Sequence, residues 1–295
     1  MDPRRSRQLS RAAAVLVAVL LALVTTAAPV QADPKSFCMP QVQRVLAVRA
    51  EIEAHNARPH VFQLPRQQAA LSAYNANKIR LDAAQTAARA AALNCLEAMQ
   101  KLAAEEPGGP TLRTPTPDRV KKIGDAVKNL PPGWKMPNRP GRDQSWPGPD
   151  KVKDPKGRAL YDALRRDNPG NIGAVKLRGE QRPRVGDPDP AYPGATIKAN
   201  PRGGGPWVAA DHIIPLTEIM RLPGFLRLNP RNMYAVTQAP VNYQWLSWSA
   251  NSAKQARSVR WVKGADKTWR NDQVALQNEV RTLLIDMIRK LLASQ

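Results

Sequence analysis

Asp211 and His212 stand side by side at the end of the apolar run Trp207-Val208-Ala209-Ala210, and Ile213-Ile214-Pro215 follows them. Twenty-nine residues then separate His212 from Asn242; Asn251 comes nine positions later and Lys254 three after that. His212 is the only histidine beyond residue 60. An imidazole takes up a proton near neutral pH, and a carboxylate beside it can hold a hard cation. Together they suit a hydrolysis in which water loses a proton while negative charge grows on the substrate. Neighbouring strand side chains point to opposite sides, so Asp211 can serve a metal while His212 serves the water. Asn251, placed in the first turn of a following helix, offers the metal a second oxygen where backbone amides also favour a phosphate. Asn242 precedes Tyr243-Gln244-Trp245-Leu246, a strand-like alternation, and its amide can bridge backbone groups of the loop that carries His212. Lys254, one turn past Asn251, is placed to meet a phosphate as a point charge. Phosphodiester hydrolysis would use all five residues.

The run Asp-His-Ile-Ile-Pro-Leu, followed by Asn-Tyr-Gln-Trp-Leu-Ser-Trp-Ser-Ala-Asn-Ser-Ala-Lys, resembles the HNH branch of the His-Me finger (ββα-metal) endonucleases. Asn242, Leu246, Asn251 and Lys254 fall on that family's positions. The resemblance covers about 45 residues. It implies His212 as general base, Asp211 and Asn251 as metal ligands and Asn242 as the brace of the loop. It also implies one divalent metal ion, Mg²⁺ first, with Mn²⁺ and Zn²⁺ as the alternatives. Three departures stand out. Ser247 and Ala250 occupy places where many members carry a zinc-binding cysteine pair, so a hydrophobic core must do that work, with Trp245, Trp248 and Trp261 to supply it. The last ligand is Asn251 rather than a histidine. The loop between His212 and Asn242 is long, and Asn232-Met233-Tyr234-Ala235-Val236 is a second candidate for the asparagine-plus-strand element. The nine-residue spacing favours Asn242.

Such a substrate agrees with the charge. The chain of 295 residues carries a net charge of +21, and residues 118–295 hold 31 basic against 16 acidic side chains. A surface so basic favours polyanions, whether nucleic acid, anionic lipid or acidic wall polymer. At the other end, four arginines between 4 and 11 precede an apolar run over 12–28 and the small residues Val30-Gln31-Ala32. These are the three parts of a secretory signal, with cleavage expected after Ala32 and no stable membrane insertion thereafter. The alternative is a retained anchor, for which the run is short of the ~20 residues a span needs. Export suits the 2 cysteines, Cys38 and Cys95, which most simply form one disulfide. Both lie far from His212, which excludes cysteine-ligated zinc there.

The elements that must position these residues read as α+β. Residues 41–57 show helical apolar spacing, and 67–105 are alanine-rich without Pro or Gly, so 33–105 read as an all-α helical hairpin. His55 and His60 flank its turn as packing or surface residues. Prolines recur through 106–150, the composition of an extended linker. A domain over 151–295 follows, with a short helix at 156–167, short strands around Ile172, Val175, Leu177 and Val185, and a strand leading into Asp211. Ser249 caps an expected helix through about Val262, and a second runs from Asn271 or Asp272 to Leu292. The combined expectation is an exported metal-dependent endonuclease acting on DNA, with RNA as the alternative, at low sequence specificity, in the manner of antibacterial effectors. Its partners would be nucleic acid and an inhibitor (immunity) protein. The reading from another class is a secreted, non-catalytic polyanion-binding protein.

Overall fold

Helical propensity and one short sheet account for the architecture of the computed structural model. It describes residues 34–104, 106–136, 155–165, 172–256 and 258–295, so the expected signal at 1–32 and the linker stretch 137–150 lie outside the described residues. The chain is a mixed α and β protein, predominantly helical, with one two-stranded antiparallel sheet among the described residues. It divides into two compact units, Met1–Leu93 and Asn94–Gln295.

In the first unit, α1 (Pro34–Phe37) leads into α2 (Met39–Asn56), and α3 (Gln68–Ala103) returns and continues past the unit boundary. Val45 and Val48 of α2 pack on Ala88 and Ala92 of α3, small residues that let the helices approach closely. His55 stacks on Tyr74 at 4.1 Å and meets Asn77 Nδ2 through its Nδ1 at 2.9 Å, while His60 bonds the Arg58 carbonyl. Both rings are engaged in packing or backbone contacts within this unit. Cys38 and Cys95 form a disulfide. No helix among the described residues is long and apolar enough to cross a membrane.

The second unit corrects the expected linker. Pro117–Lys128 is a helix, α4, capped by the Thr116 hydroxyl accepting from Arg119 N–H. Proline is favoured at a first helical position, and Ile123 and Ala126 give the helix a buried side. α4 packs against α5 (Pro155–Arg165). From 172 to 206 the expected strands are replaced by isolated bridges at Leu177–Glu180, Pro188–Thr196 and Ala199–Pro206, because Gly and Pro interrupt every run before a ladder can extend.

β1 (Val208–His212) pairs antiparallel with β2 (Tyr243–Ser247), Asp211 opposite Gln244 and His212 opposite Tyr243. Opposed residues share a face, so the sheet separates two clusters. Leu246 packs with Ala250, Val259, Val262 and Ala265 on one side. Tyr243 and Trp245 pack with Leu177 on the other. The long connection is not an open loop. It holds α6 (Leu216–Ile219), a 3₁₀ turn at Phe225–Arg227, α7 (Pro230–Thr237) and a second 3₁₀ turn at Pro240–Asn242. The second asparagine-plus-strand candidate is thus helix α7, because Asn229 caps Asn232 N–H at 2.9 Å and Pro230 opens the first turn.

α8 (Trp248–Lys254) follows β2 directly and packs on both strands. Ser247, not Ser249, is its cap, accepting from Ala250 N–H at 3.1 Å, and Gln255 ends it at φ +48° rather than letting it run to Val262. After a 3₁₀ turn at Val259–Trp261, α9 (Lys267–Ser294) starts at the Asp266 cap, one turn earlier than its apolar stripe announces.

Candidate functional site

His212 closes β1 with its ring largely buried, 8% exposed. Its Nε2 lies 3.0 Å from the carbonyl oxygen of Thr237, the last residue of α7. A carbonyl only accepts, so Nε2 carries the proton and Nδ1 keeps its lone pair. No described residue bonds Nδ1. The edge of the Tyr243 ring, its cross-strand partner, packs at 4.9 Å and 68° and fixes the imidazole from the side. Burial pushes the His212 pKa below its ordinary value, against the opposing pull of the Thr237 carbonyl and the Asp211 carboxylate. The imidazole is therefore neutral at neutral pH, the form that accepts a proton. Burial also pushes the Tyr243 hydroxyl pKa up, which keeps it a neutral donor to Gln238 Oε1 at 3.3 Å.

The segment leaving His212 is held by backbone satisfaction. Asn242 is fully buried; its Oδ1 accepts from Ile214 N–H at 2.7 Å and its Nδ2 donates to Ile214 C=O at 3.0 Å. Its own carbonyl accepts from Ile213 N–H at 2.8 Å. Buried Gln277 of α9 donates to the Ile213 carbonyl at 3.1 Å and accepts from Ser258 Oγ. These bonds fix where β1 ends, and with it the direction of His212. Replacing Asn242 by Ala strands two buried backbone groups of Ile214, so Asn242→Ala should lower stability by about 2–4 kcal/mol. A urea melt of the two proteins checks it; an unchanged midpoint would show that the clamp is incidental.

Asp211 and Lys254 form the other half of the site. The Lys254 ammonium lies 2.7 Å from Asp211 Oδ2 and 2.6 Å from the His212 carbonyl. Its side chain is 1% exposed and that of Asp211 12%. This corrects the expectation that Lys254 reaches out to a phosphate. The side chain folds back under the sheet, where two oxygens take its donors, and it ties α8 to the end of β1. Asn251, partly exposed, stands one turn before Lys254 and so on the same side of α8.

A metal can be assessed from the donors. No described residue bonds Asp211 Oδ1, and Asn251 adds an amide oxygen. Two hard oxygens suit Mg²⁺ or Mn²⁺, ions that keep several waters, better than Zn²⁺ with its preference for nitrogen and sulfur. No group of three or more His, Cys, Asp or Glu side chains placed to hold a metal ion occurs among the described residues. Asparagine lies outside such a grouping, and no bond joins the Asp211 and Asn251 side chains.

Sequence reasoning missed four contributors. Thr237 acts through its carbonyl, which no side-chain pattern reports. Tyr243 could have been found, since it must oppose His212 once Asn242 starts the second strand. Gln277 sits on the apolar stripe of α9 as its buried polar exception, a visible signal. Gln244, opposite Asp211, buries an Nε2 without a hydrogen-bond partner. Trp248 departs from its expected core role: 44% exposed, it lies outside the clusters that Trp245 and Leu246 join.

Compared with known proteins, the chain matches no protein-family model, no curated protein and no solved structure.

Proposed function

We propose that the C-terminal unit is an HNH-type endonuclease that hydrolyses phosphodiester bonds of DNA, with RNA as the alternative substrate, at low sequence specificity. One observation carries the reading. The imidazole of His212 is fixed through Nε2 by the Thr237 carbonyl and keeps Nδ1 as a base, at the end of a strand–strand–helix unit that also brings Asp211 and Lys254 together. His212 Nδ1 takes the proton of the attacking water, and the Thr237 carbonyl stabilises the resulting imidazolium. Asn242 keeps β1 from slipping as that charge appears. Asp211 Oδ1 and the Asn251 amide would hold one divalent ion, which when bound stabilises negative charge on the phosphate and the leaving oxygen. Lys254 already engages Asp211 Oδ2, so we expect the ion to be held weakly until a phosphate shares it.

The rest of the chain agrees with an exported enzyme: the signal-like start, the disulfide and the basic C-terminal half. A cell that exports it would need an inhibitor of the C-terminal unit, in the manner of antibacterial effectors. The test incubates residues 33–295 with supercoiled plasmid and with structured RNA, in Mg²⁺, Mn²⁺, Zn²⁺ or chelator. Nicking of the plasmid in Mg²⁺ or Mn²⁺, abolished by chelator, is the expected result. Cleavage of RNA alone would change the substrate and keep the reaction. No cleavage of either under any metal would leave the second reading, a polyanion-binding protein without catalysis.

A further inference from the structure

Trp207 and Trp248 stack with ring centroids 5.6 Å apart and planes 9° from parallel. The pair is clamped by backbone bonds: Trp207 N–H donates to Lys198 C=O at 2.8 Å, and Trp248 N–H donates to Trp207 C=O at 2.9 Å. Both rings line a cleft of about 270 Å³, whose other walls include Asp189, Tyr192, Thr196 and Lys198. Trp248 is left 44% exposed while stacked on Trp207, so the pair presents an aromatic surface at the wall of this cleft. Trp248 also stands one turn before Asn251 on α8, and so on the same side of that helix as one of the proposed metal ligands.

We infer that the Trp207–Trp248 cleft is a stacking subsite for one unpaired nucleobase, which makes single-stranded or locally opened nucleic acid the substrate class of the neighbouring site. The inference rests on the endonuclease reading for its catalytic consequence, though not for binding. Bases in a duplex already stack on their neighbours, whereas an unpaired base has a free π face for an indole. The cleft itself selects a base over a phosphate. Asp189 is buried on its wall, with Oδ1 accepting from Ala191 N–H and no described residue bonding Oδ2. A carboxylate repels a phosphate and accepts from the amino edge of a base. Lys198, which makes no ion pair with a described residue, is exposed on the rim, where the sugar–phosphate backbone would pass. A neutral oligosaccharide also stacks on tryptophan, but it makes no use of Lys198 or of the chain's +21 charge.

The experiment titrates residues 33–295 in chelator, where nothing is cleaved, with a mixed-sequence single strand, an abasic strand of equal length, a duplex and a neutral oligosaccharide. Binding is followed by anisotropy of the labelled ligand. The base-bearing strand should bind roughly tenfold or more tighter than the abasic one, the effect of one stacked base. Trp248→Ala should erase that difference and leave abasic binding unchanged, and Trp248→Phe should restore part of it. Binding is read in chelator, where no cleavage is needed, so failure of the nuclease reading and failure of this one are separate results. Equal affinity for the base-bearing and abasic strands would overturn the inference. So would a preference for the duplex or the oligosaccharide, or a Trp248→Ala loss shared by all ligands.

Discussion

His212→Ala should reduce plasmid cleavage by about 10²–10⁴-fold, the usual contribution of a positioned general base. The substitution also leaves the buried Thr237 carbonyl without its donor, a cost of about 1–3 kcal/mol. Lost activity in that variant alone would therefore mix chemistry with stability. His212→Gln separates them, because its amide can still donate near Thr237 but holds no basic nitrogen. Both variants should lose cleavage, His212→Gln should melt closer to the unaltered protein, and both should bind nucleic acid in chelator with the same steep dependence on salt. If His212→Gln kept a tenth or more of the activity, His212 would not be the base.

The pH profile follows from the same ring. Burial lowers its folded-state pKa below the ordinary value of 6.5, so the basic form persists beneath that pH. The acid limb of kcat/KM should accordingly fall below pH 6.5, and a cation bound at Asp211 would push it further in the same direction. Stability has the matching sign. As pH drops through 6.5 the unfolded chain binds a proton that the folded one resists, so folding weakens on acidification until the folded pKa is reached. An acid limb above 6.5 would contradict the buried, neutral ring.

The two strands and the start of the helix of the site were legible because the spacing between them is constrained. Five residues of β2 and four of α8 span Asn242 to Asn251, and a spacing set by two regular elements survives in the sequence as a number. Asn242 was legible for a related reason: a fully buried amide has to answer backbone groups, and those of Ile214 lie where the neighbouring strand ends. The Thr237 carbonyl was invisible, since every residue carries one and only the packing of α7 brings it to His212. α4 was hidden by prolines that read as linker, although Pro117 sits at the one helical position that favours it. The hairpin followed from the helical apolar spacing of 41–57 and the alanine content of 67–105. Trp248 and Lys254 were misassigned through opposite habits: tryptophan is expected inside and lysine outside, and this fold reverses both.

Lys254→Met tests the reversal that matters more. A methionine fills much the same volume but removes the ammonium that Asp211 Oδ2 and the His212 carbonyl share. Breaking one side of a buried pair leaves the other charge unanswered, and the expected loss is about 3–5 kcal/mol. An exposed phosphate ligand would behave otherwise: its removal would leave the urea midpoint unchanged and weaken nucleic-acid binding at low salt. The double variant Asp211→Asn/Lys254→Met discriminates further. Without the carboxylate there is no stranded charge, so the pair should be markedly more stable than Lys254→Met alone, while cleavage stays lost because Asp211 is gone. The two losses then have different origins. Lys254 governs whether β1 and α8 stay joined, and Asp211 governs what that junction can hold. If the double variant were no more stable than the single one, the ammonium would be answering the His212 carbonyl alone, and Asp211 would be free to serve a metal with its full charge.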